Sequence, residues 1–106
     1  MKAKVVLPRE VASRDVEEAI DHYLREGAAK AALNFVGDLE KAYIHIGRQP
    51  ASGSPRYAHE LNLPGLRFWP LTRFPYLVFY FERDDYVDVW RVLQAQRDIP
   101  AWMNES

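Results

Sequence analysis

The chain contains no cysteine, so disulfide bonds and thiolate metal sites are excluded. It also lacks an apolar run of the roughly 18 residues that a membrane-spanning helix needs. The basic N-terminal stretch loses its apolar character at Leu7 and Pro8, which makes it too short for a signal peptide. These absences predict a bacterial-type cytoplasmic protein that makes no contact with a membrane.

Lysine is missing from the second half of the chain. All four lysines lie within the first 41 residues, and residues 56–97 contain six arginines and no lysine. The net charge is −1, whereas a domain that grips nucleic acid usually carries a clear positive excess. Any contact with nucleic acid would therefore have to come from a local cluster of arginines.

Apolar residues make up 48% of the 106 residues, which is enough for one hydrophobic core. The length suits a single domain that spans residues 1–106. Apolar spacing predicts the order strand, helix, helix, strand, strand, strand. The predicted strands span residues 2–7, 66–71, 75–82 and 86–93, and the predicted helices span 9–26 and 28–46. The expected fold class is α+β, with a helical hairpin packed on one face of a mostly antiparallel sheet.

The two predicted helices carry apolar residues at the three-to-four spacing of a buried face. The first places on that face Ala12, Val16, Ala19, Ile20, Tyr23 and Leu24, and the second places there Ala32, Leu33, Val36, Leu39, Tyr43 and Ile46. Residues 48–65 are rich in proline, glycine and serine, which predicts a loop. The last strand leads into a tail, residues 94–106, in which Ile99, Trp102 and Met103 can pack back onto the sheet.

Metal-free cleavage of RNA would need a base, an acid, and cations that stabilise the transition state. The candidate residues for such chemistry are Arg67, Arg73, Arg97 and His59. Arginine clamps phosphate well but carries protons poorly, because it stays charged. His59 is the best candidate base, since His22 and His45 lie at the edges of predicted helices. The three histidines show no ligand spacing, so we expect neither a metal nor another cofactor.

Arginines and tryptophans also suit contacts with a protein partner. The candidates for such contacts are Arg67, Trp69, Arg73, Arg91, Arg97 and Trp102. Arg91 has an equally good structural interpretation as a partly buried member of an ion pair, with Asp88 or the Asp84–Asp85 turn as the partner. The strand aromatics occur on both faces of the predicted sheet, which favours core packing over a platform for stacked bases.

Four stretches, in this order, resemble the RelE/ParE superfamily of bacterial type II toxins. They read DVEEAIDHYL (15–24), AALNFVGDLEKAY (31–43), PGLRFWPL…FPYLVFYF (64–81) and VWRVLQAQRDIP (89–100). The resemblance implies the same strand and helix order and a toxin that a cognate antitoxin binds and silences. RelE-like members cleave mRNA on the ribosome, whereas ParE-like members inhibit DNA gyrase and are not nucleases.

The sequence pattern looks closer to the ParE group. Gln94 stands where related chains often have a titratable histidine, which disfavours a nuclease, and the near-neutral net charge and the absence of lysine from 56–97 disfavour it further. We therefore expect a gyrase inhibitor that acts by binding, with a ParD-like antitoxin as its partner in a hetero-oligomer. The resemblance implies that an antitoxin tail, extended or helical, lies across the apolar helix faces and the region around Trp102. Two alternatives stay open: a ribosome-dependent mRNA endonuclease of the RelE type, and a non-toxic relative that only binds a partner.

Overall fold

The computed structural model describes residues 2–103. Its elements are strand β1 (Val5–Pro8), helices α1 (Glu10–Arg25) and α2 (Ala29–Arg48), a 3₁₀ turn (Pro50–Ser52), short helix α3 (Arg56–Glu60), strands β2 (Leu66–Pro70), β3 (Tyr76–Glu82) and β4 (Tyr86–Gln94), and short helix α4 (Ile99–Met103). The predicted order of four strands and two long helices is confirmed. The predicted first strand began too early, at residue 2 instead of Val5.

The four strands form one sheet in the order β1-β4-β3-β2. Strand β1 runs parallel to β4, with Val5 beside Tyr86 and Pro8 beside Val89. The other two pairings are antiparallel, so the prediction of a mostly antiparallel sheet is confirmed. Strand β3 lies inside the sheet and is covered on both faces, which explains its almost continuous run of apolar residues.

The hairpin of α1 and α2 covers one face of the sheet. Their buried side chains meet those of the strands in a core that includes Phe35, Ile46, Val78 and Tyr80. Gly27 links the two helices at φ 69°, a left-handed conformation that a residue with a Cβ adopts only with strain. Helix α1 therefore ends where the sequence predicts.

Two residues assigned to the buried helix faces are in fact exposed. Leu24 keeps 51% of its accessible surface and Leu33 keeps 74%, so both predictions are wrong. The buried face of α2 is centred on Ala32 and Phe35 instead. Because successive residues of a helix lie about 100° apart, Leu33 turns away from the sheet when Ala32 faces it.

The opposite face of the sheet carries a second cluster, built on Leu66, Phe79, Leu93, Ile99 and Met103. Helix α4 brings Ile99 and Met103 into this cluster, so the prediction that the tail packs back is confirmed for them, and Trp102 is half-buried beside them. The final residues of the predicted tail, 104–106, lie outside the described residues.

The segment 48–65 is more ordered than a loop. Its 3₁₀ turn and α3 cover parts of the sheet, and Ser54 forms an isolated antiparallel bridge with Phe68 of β2. The prediction of an unstructured connection is therefore wrong for these parts. Within residues 2–103, no helix combines the length and the apolar character that crossing a bilayer requires.

Candidate functional site

A cleft of about 280 Å³ opens between the second half of α1 and the end of β4. Its walls combine charged, polar and aromatic side chains, contributed among others by Glu18, Arg25, Tyr76, Gln94, Arg97 and Trp102. The cleft thus brings together Arg97 and Trp102, two of the predicted partner contacts. Arg25 was not predicted, because a basic residue in the last turn of a helix usually only complements the helix dipole.

The inner end of the cleft is formed by a buried ion pair between Asp15 and Arg91. The Asp15 carboxylate accepts hydrogen bonds from Arg91 Nε and Nη2, both at 2.8 Å. Asp15 and Arg91 keep only 7% and 5% of their accessible surfaces. Arg91 Nη1 also donates to the Trp102 carbonyl at 3.0 Å, which ties α4 to the hairpin.

The position of Asp15 follows from the shortness of β1. That strand ends at Pro8, beside Val89, so the edge of β4 beyond Val89 has no neighbouring strand there. Asp15 covers this edge and accepts a hydrogen bond from the Val92 amide at 3.0 Å. A buried amide without a partner would be costly, so the carboxylate satisfies both the strand edge and Arg91.

Two roles were predicted for Arg91, a partner contact and a buried ion pair. The structure shows the ion pair, because the guanidinium faces Asp15 and not solvent. The predicted partners of Arg91 were wrong. Asp88 instead pairs with Arg9 at 2.8 Å and with Arg83 at 2.9 Å. Hydrogen bonds from Arg9, followed by those from Arg83, hold the pKa of Asp88 below its ordinary value, although burial opposes the shift.

The outer rim of the cleft is formed by Arg97 and Trp102. The Arg97 guanidinium carbon lies 4.0 Å from the centre of the Trp102 ring, the distance of a close cation–π contact. Asp98 orders the turn that holds both residues, because its carbonyl accepts from the Trp102 amide at 3.1 Å. Burial raises the pKa of Tyr76 on the neighbouring wall, and the nearby charges of Tyr23 and Arg97 act in opposite directions on it.

Arg67 and Trp69 lie on β2, away from this cleft. Arg67 Nη1 donates to the Gly53 carbonyl at 2.7 Å. The Trp69 ring stacks on His45 with a centroid separation of 3.9 Å, and His45 Nε2 lies 2.9 Å from Ser52 Oγ. These contacts fix the segment around the 3₁₀ turn against β2, which gives Arg67 and Trp69 a packing role.

The remaining predicted site residues, Arg73 and His59, belong neither to the cleft with Arg97 and Trp102 nor to the contacts of Arg67 and Trp69 on β2. Arg73 is exposed in the turn between β2 and β3, where its backbone amide donates to Asp38 at 2.8 Å. His59 is exposed on α3, which packs on the sheet face opposite the hairpin. Within residues 2–103, no group of three or more histidine, aspartate or glutamate side chains is placed to hold a metal ion.

A second exposed surface lies on α2, one of the two helices whose apolar faces the family resemblance implies as antitoxin contacts. Leu33 and Ile44 of α2 are 74% and 55% exposed, and an interval of 11 residues places them on one helix face. Beyond Ile44, a groove of about 410 Å³ separates α2 from β1, with Val6 and Tyr43 among its walls and Arg48 contributing positive charge. Lys4 also lines the groove, but its ammonium group is paired with Glu82 at 2.8 Å. Burial raises the pKa of Tyr43 to about 12, with a smaller contribution from Asp15.

Comparisons with known proteins agree with this architecture. The family model described as "ParE toxin of type II toxin-antitoxin system, parDE" matches residues 6–99. A solved chain titled "Chromosomal ParDE TA system from P. aeruginosa" superimposes with a TM-score of 0.75 at 19% sequence identity, over 89% of this chain and 98% of that chain. The search of curated proteins found no match.

Proposed function

Because the chain belongs to the ParE toxin family of type II toxin–antitoxin systems, we propose that it inhibits DNA gyrase by binding it and that a cognate ParD-like antitoxin neutralises it. The family membership supports both parts of this proposal. It also supports a hetero-oligomer of toxin and antitoxin as the inactive state. The proposed toxin acts as a binding protein, with no chemical step of its own.

The observation that carries this proposal is the separation of the residues that RNA cleavage would need. Arg67 pairs with Tyr80 on β3, whereas Gln94, three residues before Arg97, pairs with Tyr76. Tyr76 and Tyr80 are four residues apart, which corresponds to roughly 13 Å along β3. In addition, β2 and β4 lie on opposite sides of β3. His59 lies on α3, on the sheet face opposite the one to which Arg67 and Trp69 point. A base and its phosphate clamps must instead converge within hydrogen-bonding distance of the reacting atoms.

The proposed antitoxin surface is the exposed face of α2 with the adjoining groove. Leu33 and Ile44 are large apolar side chains that are more than half exposed on one face of α2, so a single amphipathic helix laid along α2 would cover both. Arg48 at the groove is exposed and, among the described residues, has no carboxylate partner. An amphipathic antitoxin segment with acidic residues would match this combination of apolar side chains and positive charge.

The proposed target surface is the cleft at the end of β4, with Arg97 and Trp102 as its contacts. Arginine and tryptophan are the residue types that most often dominate binding energy at protein interfaces. Arg67, Trp69 and Arg73 stay predicted contacts of secondary importance, since packing on β2 already accounts for the first two. This division gives antitoxin and target different primary contacts on the toxin.

Paired variants test the division. We expect Leu33→Glu to weaken antitoxin binding, since a charge would enter an apolar interface, while inhibition of gyrase supercoiling by the free toxin persists. We expect Trp102→Ala to weaken the inhibition of gyrase supercoiling while antitoxin binding persists. Antitoxin affinity is measured by isothermal titration calorimetry, and supercoiling on relaxed plasmid with purified gyrase. Wild-type toxin that leaves purified gyrase fully active would contradict the proposed target.

A further inference from the structure

Two exposed arginines, Arg25 and Arg97, line the cleft. Within residues 2–103, neither Arg25 nor Arg97 makes an ion pair or a side-chain hydrogen bond, whereas Arg9, Arg83 and Arg91 are all paired with carboxylates. The unpaired arginines come from different elements, one from the last turn of α1 and the other from the turn after β4. Both line the same cleft.

Arg97 is also oriented by its contact with Trp102. The guanidinium carbon lies 4.0 Å from the centre of the Trp102 ring. This contact is made to the ring and not to a hydrogen-bond acceptor, so the N–H groups of Arg97 stay available to an acceptor in the cleft. Trp102 is itself held through its carbonyl, which accepts from Arg91 Nη1, and Arg91 is fixed by Asp15. The cleft therefore presents a guanidinium whose supporting residues are already in place.

From this arrangement we infer that the cleft binds a carboxylate of an acidic segment on the protein target, with Arg97 as the bidentate donor and Arg25 as a second cation. The inference rests on the proposed function and deepens it, because it names the chemistry that the target presents. The planar fork of arginine matches the two oxygens of one carboxylate. Trp102, which is half-buried, supplies aromatic surface for the carbon atoms that lead to that carboxylate.

The charges around the cleft favour a single carboxylate over a nucleic-acid backbone. Glu18 contributes a negative charge to the wall, and Arg91 already neutralises Asp15. A run of phosphates would bring several negative charges towards Glu18, and the chain as a whole carries a net charge of −1. One carboxylate can instead be placed at Arg97 and Arg25 without occupying the whole cleft.

The first experiment observes binding to the cleft without the target. Isotope-labelled toxin is titrated with a hexaglutamate peptide, and NMR follows the Trp102 indole N–H and the Arg97 Nε–H. We expect saturable shifts of both signals in the wild type and about a ten- to hundredfold weaker affinity in Arg97→Ala, the loss typical of a charge-assisted hydrogen bond. Arg97→Lys keeps the charge but loses the planar fork, so we expect an intermediate affinity.

Arg14→Ala is the matched control. Arg14 lies on α1 like Arg25, is largely exposed and pairs only with Glu10, so its loss is expected to leave the peptide affinity unchanged. Absence of saturable shifts, or equal affinities for wild type and Arg97→Ala, would overturn the inference. Stronger binding of a uridine hexanucleotide than of hexaglutamate at the same signals would also overturn it, in favour of a phosphate ligand.

A second measurement separates this inference from the proposed function. The same variants are added to purified gyrase, and inhibition of supercoiling is measured at increasing salt. We expect Arg97→Ala to raise the inhibitory concentration about tenfold or more and to reduce its salt dependence, while Arg14→Ala matches the wild type. Inhibition by Arg97→Ala equal to wild type would refute the cleft as a target contact. Peptide binding by a wild type that does not inhibit gyrase would refute only the choice of target.

Discussion

The substitution Asp15→Ala tests how strongly the buried ion pair holds α1 and the tail onto β4. The Asp15 carboxylate accepts three hydrogen bonds, two from the Arg91 guanidinium and one from the Val92 amide. Alanine would leave a charged guanidinium and a backbone donor without this acceptor in a region where Arg91 is only 5% exposed. The variant therefore removes the carboxylate that faces a buried guanidinium and leaves the Val92 amide without its acceptor.

Removal of one member of a buried ion pair costs about 3–5 kcal/mol of the free energy of unfolding. A domain of this size has a total of roughly 5–15 kcal/mol, so Asp15→Ala would consume a large part of it. With a shift of about 4–5 °C in the melting temperature per kcal/mol, the expected decrease is about 12–25 °C.

The assay is thermal unfolding followed by circular dichroism, with urea unfolding as a second measure. Glu10→Ala is the matched control on the same helix, because it removes an exposed ion pair that is worth at most about 1 kcal/mol. The double variant Asp15→Leu/Arg91→Met replaces the pair by apolar groups and should recover most of the loss. A melting temperature for Asp15→Ala within about 5 °C of the Glu10→Ala control would refute the reasoning.

Three further predictions follow from other contacts. Asp88→Asn should lower the free energy of unfolding at neutral pH, and the difference from wild type should become smaller below about pH 4. The lowered pKa of Asp88 stabilises the fold above the pKa of the unfolded state, and this contribution is lost as the pH falls through the pKa of the folded state. Urea unfolding from pH 7 to pH 2 checks this, and a constant difference would contradict it. Tyr43→Phe should unfold at a higher pH than wild type. The pKa of Tyr43 is about 12 in the fold and about 10 in the unfolded chain, so ionisation of the unfolded chain favours unfolding as the pH rises from about 10 towards 12. The ultraviolet absorbance of tyrosinate and circular dichroism measure this, and unfolding of both proteins at the same pH would count against it. Gly53→Ala should cost about 1–3 kcal/mol, because a Cβ there would meet the Tyr80 hydroxyl, which accepts from the Gly53 amide; an unchanged melting temperature would show that the chain relaxes around it.

The sheet and hairpin could be predicted because their residues repeat with the period of their elements. The bounds of the apolar run 75–82 agree with those of β3 to within one residue. Gly27 follows α1 at the position where the backbone takes a left-handed conformation. Leu33 was misplaced because it lies beside the buried face of α2 and not on it. Helix α3 was missed because five residues contain too little of a helical repeat to be recognised.

The site was harder to predict because its contacts join distant parts of the chain. Asp15 and Arg91 are 76 positions apart, and the sequence analysis offered only nearby acids as partners for Arg91. One local signal existed: Asp15 falls between Ala12 and Ala19 on the buried face of α1, where an unpaired carboxylate would be unfavourable. The separation of His59 from Arg67 depends on which sheet face α3 covers, and strand periodicity alone does not determine that.

We propose that this member of the ParE toxin family stops DNA gyrase by binding and does not cleave RNA. The most direct test expresses the chain inducibly without its antitoxin and measures plasmid supercoiling and mRNA integrity in the same cells. The account predicts relaxed or broken DNA with intact mRNA. Cleaved mRNA with normal DNA would contradict it in favour of a nuclease, and normal growth with both intact would show a partner-binding protein without toxicity.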